Sequence, residues 1–205
     1  MNQETFKQPT PDEARAALAE VDNVLAQTRL SIARGPAAPI LILWGVIWLI
    51  ADITTQFHAQ SMQWMWSVLD GAGLLMTAWF VARDKVKVRA PGGRKIGMFW
   101  GALFAYGMLW MVILQPINFP DSAQGWQNFE PVYSRLTTYW HTLCMFGYVV
   151  MGLWISRFLL GLGLIVTALI LAGYYGNIPY YYAWLGVAGG GSLIIAGVFI
   201  RQFWK

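Results

Sequence analysis

Only one cysteine, Cys144, occurs in 205 residues, and it falls inside an apolar run. A lone thiol builds neither a disulfide framework nor a thiolate metal site within one chain, so cysteine usage does not fix the redox compartment. Charge is scarce too. Asp, Glu, Lys and Arg make up 12% of the residues, roughly half the ~25% of a soluble domain. With 57% hydrophobic residues and a mean hydropathy of +0.47, the chain belongs in a membrane. Histidine is limited to His58 and His141, which lack the i, i+4 spacing of a helical ligand pair, so no metal site is expected. No lysine lies within an apolar run, which excludes a retinal Schiff base. No nucleophile stands beside a base, no phosphate-cradling glycine loop precedes a soluble helix, and no soluble catalytic domain is present. The chain is therefore expected to be non-enzymatic and without a cofactor. The first 35 residues are polar and lack the apolar core and small-residue cleavage site of a secretory signal, so the N-terminus is expected to be retained.

What is present is a succession of six apolar segments of 18–21 residues: 37–57, 62–82, 96–115, 136–155, 158–175 and 180–200. A helix rises about 1.5 Å per residue and the hydrocarbon core is about 30 Å thick, so each is long enough to cross once. The expected fold is an all-α bundle of six transmembrane helices over 36–205, preceded by a cytoplasmic amphipathic helix within 1–35. The basic residues supply the orientation. Lys7, Arg15, Arg29 and Arg34 precede the first segment, and the "RDKVKVRAPGGRK" link joins the second to the third. Arg157 follows the fourth, Arg201 and Lys205 follow the sixth, and Arg135 alone falls on the other side. By the positive-inside rule both termini and the basic link are cytoplasmic. The net charge of +4 and pI near 9.3 thus report topology rather than one exposed basic face, and no nucleic-acid partner is expected.

On the outer side, "PINFPDSAQGWQNFEPVYSRLTT" is too polar for lipid and too interrupted by proline for one continuous helix. Trp126, Phe129 and Tyr133 recur at i, i+3 and i+7, which predicts a short helix at the interface. Aromatics crowd both boundaries, with Trp64, Trp66, Tyr139, Trp140, Tyr174, Tyr175 and Tyr180 to Tyr182 outside and Trp79, Trp100, Trp154 and Trp204 inside. An amphipathic ring is favoured at headgroup depth, so these read as interface anchors.

The N-terminal segment differs in kind. "TPDE" predicts a helix start, with Thr10 at the N-cap, Pro11 at the first helical position and Glu13 completing a capping box. Ala14, Leu18, Val21, Leu25, Thr28 and Ile32 then recur along one seam until Gly35-Pro36 closes the helix. Such a seam suits a cytoplasmic protein partner or self-association through residues 10–34, or rest on the inner leaflet of the bilayer.

Inside the membrane, three ionisable groups share the outer half. Asp70 lies eight residues into its segment, about 12 Å below the boundary. Asp52 and His141 each lie about five residues from the same boundary. A buried charge is expensive in lipid and is tolerated where it faces protein or water. Asp52, Asp70 and His141 are therefore the candidate polar cluster, a proton relay or ion site, with Arg135, His58 and Gln63 as possible partners. The alternative is that each serves separately, Asp70 by bonding across a helix interface. Gly97 and Gly101 in the third segment, and Gly186 and Gly190 in the sixth, form small-xxx-small steps that let backbones approach, and they are read as packing positions. The triple glycine at 189–191 has a second reading as a hinge.

The stretches "RGPAAPILILWGVIWLIAD", "MGLWISRFLLGLGLIVTALILAGYY" and "GGGSLIIAGVFIRQFWK" resemble those of small, uncharacterised multi-spanning membrane proteins of bacteria. The resemblance implies a bacterial cytoplasmic membrane and supplies no activity or functional residue. The leading expectation is a membrane component that recruits or regulates a partner through its N-terminal helix. The alternative is a small transporter or channel using the polar cluster, its ion or solute undefined.

Overall fold

The structure is a computed structural model that describes residues 10–59, 62–83, 93–114 and 123–203. Most of the basic link (84–92) and part of the outer connection (115–122) lie outside the described residues, as do the side chains of Gln63, Trp126, Leu25, Thr28 and Ile32. The described residues are helical with no strand. In chain order the helices are α1 (Pro11–Arg34), α2 (Ala37–Phe57), α3 (Met62–Arg83), α4 (Gly93–Leu114), α5 (Ala123–Trp154), α6 (Arg157–Tyr175), α7 (Tyr181–Leu185) and α8 (Ser192–Phe203). Between the last two runs a π-helical segment, Gly186–Gly191.

Helix α1 starts as its capping residues dictate. The Thr10 N–H donates to the Glu13 carboxylate at 2.7 Å, and the Glu13 N–H donates to the Thr10 hydroxyl at 3.3 Å. Two otherwise orphaned donors are satisfied reciprocally. The Thr10 N–H and hydroxyl hold the Glu13 carboxyl below its usual range, so its half of the cap is lost as pH falls through that lowered value.

Among the described residues five helices are long and apolar enough to cross a membrane: α2, α3, α4, α6 and the composite of α7, the π segment and α8. The fourth apolar segment of the sequence is different. It is the second part of α5, a helix of 32 residues, about 48 Å long, whose inward face carries Thr137, Thr138 and His141, all buried. Length suffices, but polarity keeps α5 out of the apolar set. The separate interfacial helix expected around Trp126 to Tyr133 is instead the first part of α5. The chain passes through Pro131 without leaving the helix. Phe129 and Tyr133 are buried there, stacked at 5.9 Å, and Tyr133 packs on Tyr182 at 5.6 Å. That burial offsets the hydrogen bond that proline removes.

The core is built by two antiparallel pairs. Helix α2 lies along the C-terminal composite, with Gly45 against Gly190 and Gly197 against Ala38 and Ile42. Helix α5 turns at Ser156, whose hydroxyl accepts from the Phe158 N–H at 3.2 Å, and returns as α6, with Gly152 against Leu160 and Gly163 against Met145 and Val149. Helices α3 and α4 are peripheral and mostly exposed, as lipid-facing helices are. α3 docks on α2 through Gly73 and a 3.1 Å bond from the Trp44 indole to Thr77. The packing expected of Gly97 and Gly101 is not made among the described residues, where nothing lies within 4 Å of a Cβ at either position and α4 presents Gly107 to α5 instead. Gly186 and Gly190, by contrast, sit tightly against α2.

Candidate functional site: a buried carboxylate and imidazole beneath a π-helical segment

Helical periodicity aligns the residues that matter. On α2, Trp48, Asp52 and Thr55 follow at i, i+4 and i+7; on α5, Tyr133, Thr137 and His141 follow at i, i+4 and i+8. Each set shares one face. The faces meet, and His141 Nε2 lies 3.0 Å from Asp52 Oδ2, both side chains 0% exposed. The second ring nitrogen, Nδ1, lies 2.8 Å from the Thr137 carbonyl oxygen. A carbonyl only accepts, so Nδ1 carries a hydrogen. One further proton therefore occupies the Nε2 to Oδ2 bond, giving either imidazolium with carboxylate or neutral imidazole with carboxylic acid. Both forms are neutral as a pair, which is what burial demands.

The surroundings place an indole beside the ring and leave one carboxylate oxygen available. Trp48 packs against the imidazole with ring centroids 4.2 Å apart, within the range in which a cation is attracted to an indole face. Asp52 Oδ1 is buried and has no hydrogen-bond partner among the described residues. The Tyr133 hydroxyl sits beside Thr55, Thr137 and the Trp66 indole, in electrostatic range of Asp52. Trp66 also donates to the Thr55 hydroxyl at 3.2 Å, while Thr55 donates to the Ala51 carbonyl at 2.8 Å.

The π-helical segment forms the lid. A Cβ on Gly186 would lie 3.2 Å from the Asp52 Cβ, and one on Gly189 would lie 3.1 Å from Trp48 and 3.3 Å from the His141 ring. π-Helical turns are rare and recur at functional sites. Just outside, Gln56 Oε1 accepts from the N–H groups of Tyr182 and Ala183 at 3.0 and 3.4 Å, fastening α7 to α2.

The remaining candidates lie elsewhere. Asp70 is half-buried on α3, within electrostatic range of Cys144, one turn beyond His141 on α5, and makes no hydrogen bond among the described residues. His58 is exposed at the end of α2, where its N–H donates to the Thr54 carbonyl. Arg135 is exposed, on the first part of α5. The Gln63 side chain is outside the described residues. Tyr133, Tyr182 and Trp66, read from the sequence as interfacial aromatics, belong to the polar interior instead. The i, i+4, i+8 alignment of Tyr133, Thr137 and His141 is the signal that would have placed the first of them. Among the described residues no group of three or more His, Cys, Asp or Glu side chains is gathered to hold a metal.

No protein-family model, curated protein or solved structure matches this chain.

Proposed function

We propose that this is a non-enzymatic membrane protein of the transporter or channel type that responds to protons through the Asp52 and His141 pair. The observation that carries the reading is the bond between two fully buried groups whose tautomer is fixed by the Thr137 carbonyl. A site that holds one proton in either of two places, with a free carboxylate oxygen beside it, is suited to accept or release another. The glycine-rich π segment laid over it is the element whose packing a change of charge would disturb.

On this reading the chain crosses a bacterial cytoplasmic membrane six times, with both termini and the basic link inside. The crossing added to the five apolar helices is α5, the fourth of the six in chain order. Its support is that α5 runs beside α6, pairs with α2 through His141, and hides its polar face between them. Asp70, one turn farther along the same outer half, is a second station that the pair reaches only through intervening groups.

The test is a pH titration of tryptophan emission in protein reconstituted into liposomes, with Trp48→Phe identifying the Trp48 contribution among the twelve tryptophans, together with acid-driven uptake of protons monitored by a trapped dye. The titratable groups in electrostatic range of Asp52 are Tyr133 on α5 and Tyr181 on α7 among the described residues, whereas Asp70 on α3 faces Cys144, so Asp70→Asn serves as the comparison. Wild type should show a single transition in emission that Asp52→Asn and His141→Gln abolish, with dye response reduced at least about tenfold. An identical titration in wild type and both variants would refute the reading.

A separate observation favours a second role. Leu18 and Val21 of the predicted α1 seam are 66% and 55% exposed, leaving that stretch open to a cytoplasmic partner or a second copy. Removal of residues 1–34 should then abolish co-purification of a partner or reduce the oligomer mass while leaving the bundle intact. Unchanged assembly would exclude it.

A further inference from the structure

The outer surface carries a pocket of about 440 Å³ between the first part of α5 and the turn from α6 to α7, within the ~300–1,000 Å³ range of small-molecule sites. It lies apart from the Asp52 and His141 pair. Glu130 and Arg135 line it together with Tyr174 and Tyr181. The two opposite charges are five residues apart on one helix, about 7.5 Å along its axis, and neither forms an ion pair among the described residues.

The walls are held in place. Glu130 accepts a hydrogen bond from the Tyr182 hydroxyl at 3.3 Å, and the Tyr181 hydroxyl is bonded to Thr138. The Tyr174 and Tyr181 rings meet at 60° with centroids 5.8 Å apart, making an aromatic corner in the pocket that Glu130 lines. Aromatic faces beside a carboxylate form a receptor for an ammonium group. The guanidinium of Arg135, which also lines the pocket, is a receptor for a carboxylate or phosphate.

We propose that this pocket binds a small zwitterion, with its ammonium end toward Glu130 and the tyrosine corner and its anionic end on Arg135. The same chemistry is offered by a free solute and by the headgroup of an ethanolamine lipid, and the experiment separates them. Glycine betaine, choline and acetate are each titrated by calorimetry into lipid-free protein in maltoside detergent. Glycine betaine should bind best, choline at least about tenfold more weakly and acetate undetectably. Arg135→Gln should bring betaine down to the level of choline. Glu130→Gln should weaken betaine and choline alike, again at least about tenfold. Both side chains reach solvent, so folding is checked by retention of the helical circular-dichroism signal. In nanodiscs, loss of betaine binding when phosphatidylethanolamine replaces phosphatidylglycerol identifies the headgroup as occupant; unchanged binding identifies a solute. Either result supports the site. Absence of binding by all three probes, or betaine binding indifferent to both substitutions, would overturn it.

Discussion

Replacing His141 with alanine is expected to cost the bundle about 3–5 kcal/mol, the range for breaking a buried charged pair by removing one partner. Asp52 would keep its place at 0% exposure with neither oxygen bonded, and Trp48 would lose the ring it packs against at 4.2 Å. Asp52→Asn is a milder change, because an amide of the same shape still bonds to Nε2. Its cost should be about 1 kcal/mol, the difference between a charged and a neutral hydrogen bond. Exchanging both residues together, Asp52→Leu with His141→Met, should recover most of the loss, since an apolar pair of similar volume is often as stable as the ion pair it replaces. Unfolding in mixed micelles, followed by tryptophan emission, measures all three, and the double-mutant cycle isolates the coupling between the two positions. If His141→Ala proves no more destabilising than Asp52→Asn, the carboxylate is not confined in the way described.

The reason this pair was visible in the sequence, while its neighbourhood was not, lies in what each signal measures. Depth along a helix can be counted, so Asp52 and His141 could be assigned to one level of the membrane from residue numbers. Rotation about the helix axis cannot be counted from the membrane boundary. Asp70 lies about one turn deeper, on an α3 face that approaches Cys144 instead of Asp52. The same blindness explains the glycines. Gly97 and Gly101 carry the small-xxx-small spacing of Gly186 and Gly190, but spacing reports only that two residues share a face, and in α4 that face is the open one. Pro131 was misleading for another reason. Proline forbids one hydrogen bond locally, whereas the helix persists because Phe129 and Tyr133, on either side, bury their rings against the core. The capping box of α1 was legible because its two hydrogen bonds are made among neighbours in the chain. The π segment is marked in the sequence only by its glycines, which weaken a helix without showing where a turn widens.

That widened turn carries the other large effect. A Cβ at position 190 would stand 2.5 Å from the Gly45 carbonyl oxygen and 2.7 Å from the Leu49 nitrogen, and one at position 45 would stand 2.6 Å from the Gly190 carbonyl oxygen. These are main-chain atoms, which have no rotamer by which to retreat, so even a methyl group must push α2 and the π segment apart. Gly190→Ala should therefore destabilise by about 1–3 kcal/mol, the usual range for an overpacked interface, although alanine is intrinsically the better helix former. Gly191→Ala is the control from the same turn. Nothing lies within 4 Å of a Cβ there, so it should be neutral or stabilising by about 0.5–1 kcal/mol. The separation at Gly190 should also reach the polar pair, because Gly186 and Gly189 rest directly on Asp52 and His141. Gly190→Ala is accordingly expected to alter the pH transition of Trp48 emission in protein that still folds, and Gly191→Ala to leave it as in wild type. Equal behaviour of the two alanines, in stability and in titration, would show that close approach of the backbones is not what seats the lid.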